Sequence, residues 1–364
     1  MRFPEFTEEW KKDSLKDVAS ISKGLGISKE QLSDSGLPCI LYGELYTKYK
    51  SEVITDIYSK TDIETKGLVS SKANDVIIPC SGEAAIEIAT ARCVPVSNIL
   101  LGGDLNIIRL NGHDGRFFAY QLNGKRKIDI AKVAQGVSVV HLYGEHLKKI
   151  KIAYPSIEEQ TKIAEMLSLI DRRISTQNKI IEKLESLIKG LCQKLTQQSD
   201  SNTTLNECLE CYSSTLQENS VFEVGDFPVY GATGVCGYTG TPEVNRDSIL
   251  IIKDGASVGT TYYASGKYSV IGTLNSLVAK KGYSLRYLYY CLKVFNFAPY
   301  RTGLAIPHIY FKDYGKAQIW CPQIEEQCRI ASALEKVEQK IATEKSLLEQ
   351  LYSQKRFLLQ EMFI

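Results

Sequence analysis

The sequence predicts an α+β protein with an internal repeat, in which two α/β domains alternate with two long helices that form an antiparallel coiled coil. Three observations support this fold class. The tetrapeptide Ile-Glu-Glu-Gln occurs at 157–160 and again at 324–327. A seven-residue apolar repeat follows each copy, and the segments that precede the two copies share short motifs. The chain is therefore predicted to be domain, helix, domain, helix.

Each long helix carries a coiled-coil seam, because apolar residues recur at alternating steps of four and three. Gln177 and Glu344 interrupt the two seams near the middle of their helices, so antiparallel pairing would bring them together and fix the register at some cost in stability. Lys355 is a further polar residue in the second seam. The predicted seam residues are Leu167, Ile170, Ile174, Gln177, Ile181 and Leu184 in the first helix, and Leu334, Val337, Ile341, Glu344, Leu348 and Leu351 in the second.

The 364 residues suffice for two ordinary domains besides these helices. We predict a first domain at 1–154, a first helix at 155–196, a polar linker at 197–204, a second domain at 205–321 and a second helix at 322–364. Ser156 and Glu159 have the spacing of a capping box at the start of the first helix. In the first domain we predict strands at 39–42, 75–79 and 105–110, with a helix around 117–122. Its motifs at 37–43, 75–79 and 135–141 return at 227–231, 248–253 and 302–308.

The charge is unevenly distributed, although the net charge is only +2. From Gly255 to Lys312 the chain has no Asp or Glu, but it has seven Lys or Arg and nine Tyr. A cationic, tyrosine-rich segment of this kind is typical of a DNA-binding module. The ten cysteines and the absence of an export signal or an apolar run of membrane-spanning length favour a cytoplasmic protein with reduced thiols and no membrane partner.

Catalytic, metal-binding and cofactor motifs are not found in the sequence. The usual DNA methyltransferase motif requires two adjacent prolines, and this chain has none. A P-loop requires Gly-Lys followed by Ser or Thr, and no Gly-Lys here is followed by either residue. The stretch at 255–259 has the spelling of a nucleophile elbow around Ser257, but no carboxylate lies between Ser257 and His308. Cys208 and Cys211 form a lone Cys-x-x-Cys. We predict no catalytic residue, no metal and no cofactor.

Taken together, these motifs resemble the specificity subunit of a type I restriction-modification system. The resemblance covers essentially the whole chain. It rests on the opening Arg2-Phe3-Pro4-Glu5-Phe6 with Trp10, the pairs Gly136/His141 and Gly303/His308, the duplicated Ile-Glu-Glu-Gln helices and the ending Gln360-Glu361-Met362-Phe363-Ile364.

The resemblance implies a non-catalytic, sequence-specific DNA-binding subunit of a multisubunit methyltransferase and endonuclease. It implies two target-recognition domains, each reading one half of a bipartite double-stranded target in the major groove. The helices would set the length of the nonspecific DNA spacer between the two half-sites and would dock two methyltransferase subunits. Restriction and translocase subunits would join through the complex. Two other interpretations stay open at this point: a targeting subunit that works with a methyltransferase alone, and a coiled-coil scaffold that does not bind DNA.

DNA contacts are expected from Lys and Arg at phosphates and from bidentate Arg, Asn, Gln or Lys at bases, with Ser and Thr assisting and loop tyrosines beside them. His141 and His308 share a repeat position, and we expect structural hydrogen bonds from them. The candidate DNA-binding residues are Tyr42, Ser81, Arg92, Lys125, Arg126, Lys127 and Gln135 in the first domain, and Tyr230, Tyr238, Lys253, Ser257, Lys267, Asn275, Arg301 and Thr302 in the second.

Overall fold

The structure, a computed structural model, describes residues 2–363 and divides into two compact units. Unit 1 comprises the described residues up to Asn178 together with those from Ser346 onward, and unit 2 comprises Lys179–Lys345. Each long helix contributes to both units. The bounds of the five predicted segments therefore stay a prediction.

Unit 1 is built on a four-stranded antiparallel sheet in the order β2-β9-β5-β7 and a three-stranded sheet in the order β4-β3-β8. Its strands are β1 (Lys11–Ser14), β2 (Ala19–Lys23), β3 (Leu37–Ile40), β4 (Ser59–Thr61), β5 (Asp75–Pro79), β6 (Ser81–Gly82), β7 (Arg92–Val94), β8 (Leu100–Leu101), β9 (Leu105–Leu110), β10 (Val140–His141) and β11 (Lys151–Tyr154). Its short helices are α1 (Leu15–Val18), α2 (Glu44–Thr47), α3 (Ala85–Ile88), α4 (Gly115–Asn123), α5 (Lys127–Lys132) and α6 (Gly144–Leu147).

The predicted strands at 75–79 and 105–110 are confirmed as β5 and β9, and the predicted helix lies within α4. β5 is buried along its whole length because it occupies an interior position in its sheet. The strand predicted at 39–42 instead lies at Leu37–Ile40. It ends early because the N–H of Leu41 donates to the Glu44 carboxylate at 2.9 Å, which turns the chain into α2.

Unit 2 repeats this arrangement. Its four-stranded sheet β13-β20-β17-β18 corresponds to β2-β9-β5-β7, and its second sheet runs β15-β14-β19-β16. The parallel pair β14 and β19 corresponds to β3 and β8. The strands are β12 (Thr203–Thr204), β13 (Leu209–Ser213), β14 (Phe227–Gly231), β15 (Gly234–Thr239), β16 (Val244–Asn245), β17 (Ser248–Ile252), β18 (Thr261–Ala264), β19 (Lys267–Val270), β20 (Leu274–Ala279) and β21 (Gln318–Ile319). The helices are α8 (Leu205–Cys208), α9 (Leu285–Lys293) and α10 (Phe311–Tyr314).

The long helices are α7 (Ile157–Thr196), with 40 residues, and α11 (Ile324–Glu361), with 38. In unit 1, Asp171 of α7 pairs with Lys355 of α11 at 2.5 Å. In unit 2, Glu185 of α7 pairs with Lys345 of α11 at 2.6 Å. The helices are therefore antiparallel, as predicted. Among the predicted seam residues, Leu184, Val337 and Leu348 are half-buried and the others are buried.

The capping box predicted at the start of α7 is only half formed. The N–H of Glu159 lies 3.5 Å from Ser156 Oγ. The Glu159 carboxylate does not return to the backbone of Ser156, because it accepts two hydrogen bonds from the Arg2 guanidinium at 2.8 and 2.7 Å. A bidentate charged pair is stronger than a neutral cap, and it fixes Arg2 to α7.

None of the helices that the structure describes has the length and apolarity needed to cross a lipid bilayer.

Candidate DNA-recognition surface

The repeated Ile-Glu-Glu-Gln motif joins each long helix to its own domain through the glutamine. In unit 1, Gln160 Nε2 donates to the Pro155 carbonyl at 2.9 Å, and Gln160 Oε1 accepts from the N–H of Asp114, the residue before α4, at 3.1 Å. In unit 2, Gln327 makes the same bonds to Pro322 and to Ser284, before α9, at 2.8 Å each. A buried carboxamide satisfied at both ends orients one helix against another.

A second repeated contact joins the same elements further along. Tyr120 of α4 donates to Asp171 at 2.7 Å, and Tyr290 of α9 donates to Glu338 at 2.8 Å. Burial, reinforced by these carboxylates, raises the pKa of both tyrosines, which therefore remain hydrogen-bond donors. Each domain is thus held to its long helix at two places, so the orientation of any recognition surface is set by the helices.

The cation that accompanies this carboxylate differs between the repeats. In unit 2, Lys293 of α9 pairs with Glu338 at 2.5 Å. In unit 1, the buried Lys355 of α11 lies between Asp171 and Glu52. Burial alone would lower the pKa of Lys355, but the two carboxylates outweigh it and raise that pKa. Lys355, which interrupts the apolar seam in the sequence, therefore links α11 to both α7 and the first domain.

The candidate DNA-binding residues of unit 2 form two groups. Lys253, Ser257, Arg301 and Thr302 lie together at the end of β17, because Arg301 Nη2 donates to the Val258 carbonyl at 3.1 Å. Tyr230, Tyr238 and Lys267 lie on the second sheet, where Tyr230 and Tyr238 are half-buried and Lys267 is exposed. Asn275 is only 4 % exposed and accepts from Ser213 Oγ at 2.8 Å, so it belongs to the interior.

In unit 1, Lys125 is exposed and Arg126 and Lys127 are half-buried, all three between α4 and the start of α5. Gln135 is exposed and Tyr42 is half-buried, and these two lie elsewhere on the unit. Two candidates are buried. Arg92 Nη2 donates to the Tyr49 carbonyl at 2.9 Å, and burial lowers its pKa. Ser81 pairs with His141 through the β6–β10 ladder. Arg92 and Ser81 are therefore not part of the proposed DNA-binding surface.

His141 and His308 close equivalent loops. Each exchanges two backbone hydrogen bonds with the residue six positions earlier: Gln135 with His141 at 2.9 and 2.7 Å, and Thr302 with His308 at 2.9 and 2.7 Å. The side chain of His308 also lies 2.6 Å from the Asp254 carboxylate through Nδ1. The expected structural hydrogen bonds are therefore present in the backbone of both histidines and in the side chain of one.

The Asp254–His308 pair adds a carboxylate to the elbow-like stretch around Ser257. The nucleophile-elbow order places the carboxylate after the serine, whereas Asp254, which meets His308, comes three residues before Ser257. Within the described residues no hydrogen bond joins Ser257 to His308. The same residues contain no group of His, Cys, Asp and Glu arranged to hold a metal ion, and the Cys208 thiol is buried.

Two surface features of the structure were not predicted from the sequence. The tips of the two histidine loops, at 136–139 and 303–306, expose aliphatic side chains, and the apolar residues after each repeated glycine were the available signal. Arg246 lies 4.5 Å from the ring centroid of Tyr212, beside a groove of about 450 Å³ in unit 2. No sequence motif marks this pair, since the two residues are brought together only by the fold.

The chain matches the family model described as "Type I restriction modification DNA specificity domain" at residues 7–186 and 211–353. The two matches fall on the two repeats. They agree with the prediction of a non-catalytic specificity component.

Among similar sequences is the type I restriction enzyme MjaVIII specificity subunit of Methanocaldococcus jannaschii, 30 % identical over 155 residues, which are 42 % of this chain and 35 % of that protein. Another is a putative type I specificity subunit of Mycoplasma genitalium, 28 % identical over 165 residues, which are 40 % of this chain and 43 % of that protein. The matches thus span less than half of either relative.

Two solved structures share the fold over nearly the whole chain. A type I restriction-modification S subunit from M. genitalium has a TM-score of 0.68 at 20 % identity, covering 100 % of this chain and 97 % of that chain. A chain from a structure on complex assembly and conformational transition of the type I R-M system has a TM-score of 0.60 at 15 % identity, covering 98 % and 97 %. With the family model matching most of its residues and this fold repeated in both units, the chain belongs to the type I restriction-modification DNA specificity family.

Proposed function

We propose that this chain is the DNA target-recognition subunit of a type I restriction-modification system, in which each repeat reads one half of a bipartite target. The observation that carries the proposal is that the scaffold is duplicated while the candidate contact residues differ between the two repeats. Strand order, the glutamine contacts and the tyrosine–carboxylate contacts recur in both units. The candidate contact residues differ between the two units, which is expected if two similar domains read different bases.

The charges near the candidate residues support DNA as the ligand. In unit 2, Arg301 lies within the acid-free segment at 255–312, and Lys253 lies just before that segment, beside Asp254 at the end of β17. In unit 1, the cations cluster instead at 125–127, between α4 and α5. Cationic side chains at phosphates position a protein on a duplex, while neighbouring polar groups read base edges.

We further propose that α7 and α11 set the spacer between the half-sites and dock two methyltransferase subunits, through which the restriction and translocase subunits join. An outward groove of about 460 Å³ in unit 1 supports docking. Its lining combines exposed apolar side chains with cations: Leu169, Arg172, Arg173, Thr176, Gln177, Leu347 and Leu351. A partner helix with an apolar stripe and flanking carboxylates fits such a surface.

Methylome sequencing tests this function directly. We expect a host that expresses this chain with its cognate methyltransferase to carry methylation at a split motif with two defined halves and a fixed spacer. Exchange of residues 205–321 for the corresponding segment of another family member should change one half and leave the other unchanged. A contiguous motif, or a change in both halves, would contradict the proposal. Loss of all sequence-specific DNA binding would favour the scaffold interpretation.

A further inference from the structure

The tips of the two histidine loops are the most conspicuous exposed apolar feature that both units share. We call residues 136–139 finger 1 and residues 303–306 finger 2. Val137 and Leu304 have relative exposures of 97 % and 109 %, and Val139 and Ile306 have 52 % and 57 %. Aliphatic side chains this exposed in both repeats indicate a surface that is covered in the working complex.

Both fingers are built in the same way. Each begins at a glycine with positive φ, 124° at Gly136 and 88° at Gly303. A Cβ would lie 2.0 Å from the Val139 carbonyl oxygen in finger 1 and 2.3 Å from the Ile306 carbonyl oxygen in finger 2. The two-way backbone pairing described above then closes each loop, so the apolar tips project from a fixed base.

The foot of each finger is hydrogen-bonded to the residue that directly follows an interior strand of the four-stranded sheet. In unit 1 the N–H of Leu142 donates to the Cys80 carbonyl at 2.7 Å, directly after β5. In unit 2 the N–H of Ile309 donates to the Lys253 carbonyl at 2.9 Å, directly after β17. An exposed tyrosine stacks on the closing histidine in both cases, Tyr143 on His141 and Tyr310 on His308.

The surroundings of finger 2 favour duplex DNA as the partner. Arg301 and Thr302 lead into this finger, and Lys253 is bonded to the residue that follows His308. Finger 2 also lies in the segment that has no Asp or Glu from Gly255 to Lys312. At the foot of finger 2 the Asp254 carboxylate is paired with His308, and the cations Lys253 and Arg301 beside this pair are suited to DNA phosphates. The neutral, aliphatic tip is suited to the apolar interior of the stacked nucleobases.

We propose that the two fingers are apolar wedges that insert into the target DNA, one in each half-site, and unstack a base step whatever the half-site sequence. This inference rests on the proposed function. The features that the fingers share contrast with the candidate base-reading surfaces, which differ between the units. A contact that recurs unchanged in both repeats is suited to a part of the target that is the same in both halves, namely the stacked duplex itself.

The test uses the full chain in complex with its methyltransferase subunits and a duplex that carries its target, with 2-aminopurine placed in turn at each position. We expect the native complex to raise the fluorescence at one base step in each half-site. Val137→Ser should abolish the rise in one half only, Leu304→Ser in the other half only, and each should weaken binding about tenfold. These side chains are exposed, so both variants should fold normally. Val96→Ser, at an exposed position outside the fingers with 49 % relative exposure, serves as the matched control.

Unchanged fluorescence and affinity in both variants would overturn the wedge. Loss of methyltransferase co-purification with an unchanged DNA signal would also overturn it, because the fingers would then bind protein. Absence of specific binding by the native complex would reject the proposed function together with this inference. Specific binding by the native complex with serine variants that behave like it would reject the inference alone.

Discussion

Lys355 is a residue whose partners the sequence alone does not reveal. In the seven-residue pattern it is a polar interruption, whereas in unit 1 it is a buried cation between Glu52 and Asp171. Burial, together with the nearby Glu52 carboxylate, raises the pKa of Asp171. The Lys355 ammonium counteracts that shift and keeps the two carboxylates compatible with each other.

We therefore expect Lys355→Met to lower the free energy of unfolding by about 3 to 5 kcal/mol, since it leaves two buried carboxylates without their cation. Urea unfolding monitored by circular dichroism measures this loss. Lys345→Ala removes the exposed ion pair with Glu185 and should cost less than about 1 kcal/mol. Addition of Glu52→Gln and Asp171→Asn to Lys355→Met should restore most of the stability. A small effect of Lys355→Met alone would show that the three charges do not depend on one another.

The elements of the two repeats correspond closely, and they differ in the side chains that attach each element to its long helix. The helices α4 and α9 both meet a long helix through a glutamine and a tyrosine, although the accompanying cation comes from α11 in unit 1 and from α9 itself in unit 2. The long helices also bury polar side chains among apolar ones. Gln177 and Glu344 are buried polar residues near the middle of seams that are mostly apolar.

Replacement of both seam residues by leucine tests the predicted register role. We expect the variant Gln177→Leu with Glu344→Leu to have a higher melting temperature, because two polar side chains no longer need to be desolvated. It should also form mixed oligomers, because seams without these two central interruptions allow other registers and pairing between chains. Light scattering after size-exclusion chromatography and thermal unfolding measure the two effects. If the leucine substitutions raise stability but leave the oligomeric state unchanged, Gln177 and Glu344 do not fix the register.

At the scale of the whole molecule, helix length should determine the spacing of the target. Insertion of one heptad after Asn178 in α7 and one after Lys345 in α11 preserves the seam and lengthens it by about 10 Å. The nonspecific spacer should then grow by roughly three base pairs, at about 3.4 Å for each. Methylome sequencing of the variant reads the spacer directly. Insertion into α7 alone breaks the pairing and should abolish specific methylation. An unchanged spacer in the double insertion would mean that the helices do not measure the target.

The sequence by itself was sufficient for the repeat, the antiparallel helices and several strands. These follow from local periodicity, as in β5 and β9, and from motifs that recur at a constant offset. It could not separate surface from interior among the candidate DNA contacts. Arg92 and Asn275 have the chemistry of base-reading residues, but both are buried and bonded within unit 1 and unit 2 respectively.

The tertiary structure decided what depends on residues far apart in the chain. Lys355 and Glu52 are 303 residues apart, and Gln327 meets Ser284 across 43. Such pairings leave no local pattern, because their free energy arises only when folding brings the partners together and removes them from water. Periodicity therefore determined the elements and their direction, whereas burial decided which side chains hold those elements together and which remain exposed.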